Sequence, residues 1–129
     1  MNGIYLLDTN AAVARLANDA KITIIIRQAE TVYISTIVLG ELYFGAEKSA
    51  RVAENLQRIE EFVAGMGILN VDKDTAREYG RIVHQLQIKG RPIPRNDIWI
   101  AAVALQYDLT LLTRDEHFKV VAGLTTQDW

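Results

Sequence analysis

The chain has 129 residues, half of them hydrophobic, which is enough for one domain, 1–129, with its own apolar core. It contains no cysteine, so disulfides, thiolate metal sites and cysteine nucleophiles are excluded, and we expect a cytoplasmic protein. The formal charge of −2, from 14 basic and 16 acidic side chains, does not indicate a nucleic-acid binder, and we expect no membrane association because no stretch approaches the roughly 18 apolar residues of a membrane span.

Strands and helices are predicted to alternate along the chain. In order, the sequence predicts a strand at 4–7, helices at 11–20 and 21–29, a strand at 32–35, helices at 37–48 and 50–66, a strand at 68–71, helices at 73–88 and 97–107, and a strand at 109–113. Thr36, Asp72 and Asn96 are the predicted helix caps, and the loop 89–95 is predicted from its prolines and glycine. This alternation implies parallel crossovers, an α/β fold with its sheet covered on both faces, and ligands outside the carboxyl ends of the strands.

Four carboxylates occur where the surrounding sequence is apolar: Asp8, Glu41, Asp97 and Asp115. Taken singly, three of them have ordinary structural explanations, since Asp8 can cap a helix, Asp97 can complement a helix dipole and Asp115 can occupy a turn. Glu41 is harder to explain, because its neighbours at helical spacing are apolar and an isolated carboxylate on such a face is costly. The coincidence of all four indicates a shared site.

Carboxylates gathered in one place repel one another unless cations compensate their charge. A set of aspartates and a glutamate fits Mg²⁺ or Mn²⁺ better than zinc or copper, and such ions can activate water and stabilise the charge of a phosphoryl displacement. Setting the four acids aside leaves 14 basic against 12 acidic side chains, so the remaining surface is mildly positive. The residues therefore favour hydrolysis of a phosphodiester.

At these residues the chain resembles the PIN-domain family, and within it the VapC-type toxin ribonucleases. The resemblance rests on the segments LLDTN, VLGELYFGA, PIPRNDIWIAAVAL and LTLLTRDEHF, which contain the four acids in this order. It implies a three-layer α/β/α fold with a short parallel sheet and an endoribonuclease that depends on Mg²⁺ or Mn²⁺. It also implies a homodimer that is inhibited by a cognate VapB-type antitoxin.

The same resemblance assigns roles to individual residues. It implies that Asp8, Glu41, Asp97 and Asp115 are the catalytic metal ligands. The polar residues that would support these ligands or position the substrate are Asn10, Asn96 and Thr113.

Other residues leave alternatives open. Four cations near the acids, Lys89, Arg91, Arg95 and Arg114, could hold RNA phosphates or could be solvated surface charges. His84 and His117 are too isolated to predict metal binding, so surface or packing roles are expected. Three aromatic residues are predicted in the core or at a dimer interface, with base stacking as the less favoured alternative: Trp99, Tyr43 and Phe44.

Two other classes of protein compete with a nuclease. A phosphoacceptor receiver domain has a similar length and fold, but it requires an adjacent acidic pair after the first strand, and here Asp8 is followed by Thr9. A noncatalytic module that binds RNA or a protein would share the fold, and only the intact set of four acids argues against it.

Overall fold

The computed structural model describes residues 3–129, and five strands and six α-helices follow one another along the chain. The elements are β1 (Ile4–Leu7), α1 (Thr9–Leu16), α2 (Ala20–Gln28), β2 (Thr31–Ser35), α3 (Thr36–Glu47), α4 (Val52–Val63), β3 (Gly67–Leu69), α5 (Lys73–Lys89), α6 (Arg95–Gln106), β4 (Thr110–Leu112), a 3₁₀ helix (Glu116–Val120) and β5 (Thr126–Gln127). The predicted strands and helices up to β4 are all present.

The strands form one parallel sheet in the order β3-β2-β1-β4-β5. β1 lies at its centre, and Leu7 pairs with Ile34 of β2 on one side and with Leu112 of β4 on the other. These three side chains are completely buried. The sequence of β1 is a continuous apolar run, and such runs are typical of strands that are covered on both faces.

Helices cover the sheet on both sides. The connections β1 to β2 and β2 to β3 run toward one edge, whereas the connection β3 to β4 returns across the sheet, so right-handed crossovers place α1–α4 on one face and α5 and α6 on the other. The contacts agree, because α1 packs on α2, α3 and α4, and α5 packs along α6. The predicted three-layer α/β/α fold is confirmed.

Helix α6 lies deep in the molecule because its sequence is apolar around most of its circumference. Five consecutive residues, 100–104, are buried, and four of them are alanine or valine. Small side chains on every face allow a helix to approach its neighbours closely. The middle of α6 is therefore packed in the core, and its first turn carries Asp97.

Two predicted helix caps are wrong. Ser35 rather than Thr36 caps α3, since its hydroxyl accepts a hydrogen bond from the Val38 amide at 3.2 Å. Asn96 lies inside the first turn of α6, which begins at Arg95 directly after Pro94. Proline has a preset φ that suits the start of a helix, so the helix begins earlier than the polar residue suggested. The cap at Asp72 is confirmed, because it accepts from the amides of residues 74 and 75.

The last part of the chain contains elements that the sequence did not predict. Strand β5 has two residues and pairs with β4, and the Thr113 amide donates to the Gln127 carbonyl at 2.9 Å. The 3₁₀ helix directly precedes this segment in the chain. Among residues 3–129 no helix combines the length and apolar character needed to cross a lipid bilayer.

Candidate active site

The acidic side chains meet where the strand order reverses. β1 and β4 are neighbours, but the chain leaves them toward opposite edges of the sheet, which opens a crevice at their carboxyl ends. Asp8 follows β1 directly, and Thr113 and Asp115 follow β4. The fold therefore places residues that are more than 100 positions apart at one point.

The carboxylate of Asp8 is buried and accepts two hydrogen bonds. It is only 3% exposed. Its Oδ1 accepts from the Ala11 amide at 2.7 Å, which caps α1, and its Oδ2 accepts from the Thr113 hydroxyl. Burial raises the pKa of Asp8 above its usual value, and the charges of Asp97 and Asp115 raise it further, although these two hydrogen bonds oppose the change. A cation at this position would relieve the cost.

Thr113 connects two of the acids. Its hydroxyl donates to Asp8 and accepts from the Asp115 backbone amide at 3.0 Å. Thr113 is itself buried. A single hydroxyl group therefore holds the carboxylate after β1 in a fixed relation to the loop after β4.

Asp97 and Asp115 share a histidine. His117 Nε2 lies 2.7 Å from Asp97 Oδ2, and His117 Nδ1 lies 3.0 Å from Asp115 Oδ1. A neutral imidazole donates only one of these bonds, so making both requires an additional proton on the ring or on a carboxyl group. Ligand atoms of these three residues lie within 4.8 Å of one another, as required for a metal centre. His117 is therefore not isolated, as the sequence suggested, but contacts two of the four acids.

The environment of Asp97 also disfavours its charge. Burial raises the pKa of Asp97, and the charges of Asp115 and Glu41 raise it further, while the contact with His117 opposes the change. Asp97 and Asp8 thus carry pKa shifts in the same direction and for the same principal reason. Clustered acids with such shifts are typical of functional sites.

Glu41 reaches the same region from the middle of α3. Its Oε1 accepts a hydrogen bond from the Thr9 hydroxyl at 2.7 Å, and the side chain is partly buried. Because its charge acts on Asp97, the two carboxylates are electrostatically coupled across the crevice. The structure therefore brings all four predicted acids to one edge of the sheet, with Thr9 as a partner that sequence reasoning did not single out.

The other predicted site residues are more dispersed. Asn10 is exposed on α1, and Asn96 is exposed at the start of α6, where it lines a cleft together with Glu41. Arg95 donates to the Tyr79 hydroxyl at 2.8 Å, and Arg114 donates to the backbone carbonyl of Trp129. Two further cations, Lys89 and Arg91, are exposed, and Lys89 contacts the Val120 carbonyl at 3.4 Å. His84 is exposed on α5.

The donor chemistry of this site fits a hard divalent cation. Three aspartates and a glutamate converge with two threonine hydroxyls, and carboxylate oxygens are the ligands that Mg²⁺ and Mn²⁺ prefer. The pKa values of Asp8 and Asp97 are raised first by burial and then by the neighbouring carboxylates, and a bound cation would favour their charged forms. His117 supplies the only nitrogen ligand of the metal-capable group found among residues 3–129.

Comparison with known proteins agrees with this geometry. Residues 5–124 match the family model of the PIN domain. Ribonuclease VapC2 of Haemophilus influenzae and the tRNA(fMet)-specific endonuclease VapC of Shigella flexneri are each 34% identical to the chain, over 97% of both sequences. These matches exclude the receiver-domain alternative.

Solved structures show the same likeness. DNA-bound VapBC from Salmonella typhimurium superimposes with a TM-score of 0.93 at 31% identity, covering 100% of this chain and 99% of that one. VapBC2 from Rickettsia felis, bound to a DNA fragment from their promoter, has a TM-score of 0.91 at 29% identity, with 98% of each chain covered. The chain therefore belongs to the PIN-domain family and, within it, to the VapC-type toxin ribonucleases.

Proposed function

We propose that this protein is a Mg²⁺-dependent endoribonuclease toxin that hydrolyses phosphodiester bonds of RNA, with Mn²⁺ able to replace Mg²⁺. The observation that carries the proposal is the convergence of four acids from α3, α6 and the ends of β1 and β4. Two of them, Asp8 and Asp97, have pKa values raised mainly by burial. A bound cation compensates such charges.

Each acid has a role in this proposal. Asp8, Glu41, Asp97 and Asp115 would hold the metal, which supplies Lewis acidity and lowers the pKa of water. Thr113 orients Asp8, and Thr9 orients Glu41, through the hydrogen bonds described above. His117 provides a positive countercharge to Asp97 and Asp115 when its ring is protonated.

Polar and basic groups around the acids would position the RNA. Asn10 and Asn96 are exposed near the starts of α1 and α6, where they can contact substrate. Lys89 and Arg91 are exposed cations that suit phosphates. Arg95 and Arg114 already have partners within the protein, so they contact RNA only by exchanging those partners.

The partners follow from the family. The solved relatives are named as VapBC complexes, which supports a VapB-type antitoxin that neutralises this chain in the cytoplasm. We also propose a homodimer. Because the Shigella flexneri relative is a tRNA(fMet)-specific endonuclease, initiator tRNA is the first RNA to test.

Cleavage of total RNA and of initiator tRNA by the purified protein tests the proposal. We expect discrete fragments with Mg²⁺ or Mn²⁺, no cleavage in EDTA, and a loss on the order of 100-fold or more in Asp97→Asn. Asp74→Asn is the matched control, because it makes the same change at an exposed aspartate on α5.

Two results would contradict this function. Full activity in a folded Asp97→Asn protein would exclude the proposed mechanism. RNA binding that persists in EDTA, without cleavage in Mn²⁺, would instead identify a noncatalytic binding module.

A further inference from the structure

Helix α3 presents an exposed aromatic ring one turn after Glu41. Phe44 is 64% exposed, which excludes the core from its two predicted positions and leaves the dimer interface as a prediction. The ring lines an open cleft of about 670 Å³ that also contacts Glu41, and Asn96 and Thr9 border the same cleft. The cleft therefore extends from Glu41, one of the proposed metal ligands, to this aromatic side chain.

A cation accompanies the ring. Lys48 is the C-cap residue of α3, and its Nζ lies over one face of the Phe44 ring, 4.9 Å from the ring centroid. Lys48 is exposed and lines the cleft. An aromatic face beside a cation is the combination with which proteins bind single-stranded nucleic acids, one group stacking on a base and the other contacting the backbone.

Two glycines keep this face of α3 open. A Cβ atom built at Gly40 or at Gly45 meets nothing within 4 Å, so neither glycine is required by close packing. Both residues line the cleft. Glycine inside a helix lowers its stability, and the packing of this chain does not explain the presence of either glycine.

The polar part of the cleft argues for RNA rather than for a second copy of the chain. Docking an apolar surface here would bury Glu41 and Lys48 along with Phe44, and burying charges without partners is costly. A nucleotide instead offers a flat base to the ring and a phosphate to the lysine. Stacking needs an unpaired base, so the cleft selects a single-stranded segment.

We propose that Phe44 is a stacking platform for an unpaired base next to the cleaved bond, and that Lys48 contacts an adjacent phosphate. The inference rests on the proposed ribonuclease function and adds a site that positions the substrate. It makes Phe44 a determinant of where the RNA is cut, with no part in the chemistry at the metal.

Phe44→Leu and Phe44→Tyr separate stacking from apolar bulk. Leucine keeps a hydrophobic side chain but lacks a π-face, so we expect KM for a short single-stranded RNA to rise about 10-fold with a much smaller change in kcat. Tyrosine should keep KM within about 2-fold of the wild-type value. Ile88→Ala is the control, because Ile88 is 73% exposed on α5 and does not line the cleft.

A spectroscopic signal reports the contact independently of cleavage. RNA that carries 2-aminopurine beside the cleavage site should be quenched by wild-type protein and by Phe44→Tyr, but not by Phe44→Leu. Lys48→Gln should keep the quenching and lower the slope of log affinity against log salt by about 0.7. These titrations detect stacking on Phe44 even if the wild-type protein binds RNA without cutting it. Binding without cleavage would contradict only the proposed function.

Two results would overturn the inference. The first is a Phe44→Leu variant that cleaves RNA as the wild-type protein does, with the same KM and the same quenching of 2-aminopurine. The second is dissociation of a dimer by Phe44→Leu in sedimentation velocity, with the loss of RNA affinity following the monomer fraction. That result would assign Phe44 to a contact between two copies of the chain.

Discussion

Burial disfavours the charged form of Asp8, so ionisation of this carboxyl group should lower the stability of the folded protein. Because its pKa is raised in the folded state, the stability that Asp8 contributes is fully present below the unfolded pKa of about 3.9 and is lost as pH rises through the folded pKa. We therefore expect Asp8→Asn to melt at a higher temperature than wild type at pH 7.5 in EDTA. Asparagine also caps helices well, so α1 should remain intact.

Thermal melts monitored by circular dichroism between pH 4 and 8 would check this expectation. The difference between the two proteins should shrink as the pH falls, because protonation of Asp8 removes the buried charge. Asp74→Asn is the control, because it makes the same substitution at an exposed aspartate. A lower melting temperature of Asp8→Asn at pH 7.5 would contradict the argument.

Thr113 is the residue whose hydroxyl orients two of the acids at once. Thr113→Val keeps the shape but leaves Asp8 and the Asp115 amide without their shared partner, which typically costs about 1–3 kcal/mol. We expect lower stability and at least about 10-fold lower kcat. Thr113→Ser should restore both, and equal kcat values for the valine and serine variants would show that the hydroxyl has no positioning role.

The acids were predictable from the sequence, whereas the histidine between them was not. Glu41 interrupts an apolar helical face, and Asp8 and Asp115 follow apolar strands, so sequence periodicity draws attention to each. His117 lies in a short 3₁₀ helix with no such periodicity. Its spacing of two residues from Asp115 was the only local signal, and its contact with Asp97 depends on the tertiary fold.

At the scale of the elements, α3 combines a structural weakness with an open surface. Gly40→Ala should stabilise the protein by about 0.5–1 kcal/mol, because alanine favours helix and nothing lies within 4 Å of the added methyl group. Gly80→Ala on α5 provides the matched control, since Gly80 is equally open and does not line the cleft. Chemical denaturation should show the gain in both variants.

RNA cleavage distinguishes the two glycine variants. Only Gly40→Ala narrows the cleft beside Phe44, so only this variant should raise KM for RNA. A KM that rises equally in both variants would mean that helix rigidity, and not access to the cleft, causes the change.

The predictability of the elements followed their length and periodicity. Helix α5 and the buried strand β1 carry clear signals, as does the capping chemistry of Asp72. Strand β5 has only two residues and exists because β4 offers it an edge, so no local pattern marks it. The start of α6 was misplaced because Pro94 and Asn96 both suit a helix terminus and only the packing of α6 decides between them.

For the molecule as a whole, metal binding should be visible as thermal stability. A cation that binds only the folded chain stabilises it by about 2.7 kcal/mol at a concentration 100 times its Kd. We expect Mn²⁺ to raise the melting temperature of the wild-type protein with the logarithm of its concentration, and to have much less effect on Asp97→Asn. An equal rise in both proteins would exclude Asp97 as a ligand.

The hydrogen bond between Asp8 and Thr113 also determines when, during synthesis of the chain, the acidic site can assemble. The two residues are 105 positions apart, and β1 lacks its neighbour β4 until residues 110–112 have been made. Asp97, Asp115 and His117 likewise belong to the last third of the chain. A nascent chain that ends before residue 97 therefore lacks three of the side chains that meet at the site. The order of the elements therefore delays assembly of the acidic site until most of the chain has been translated.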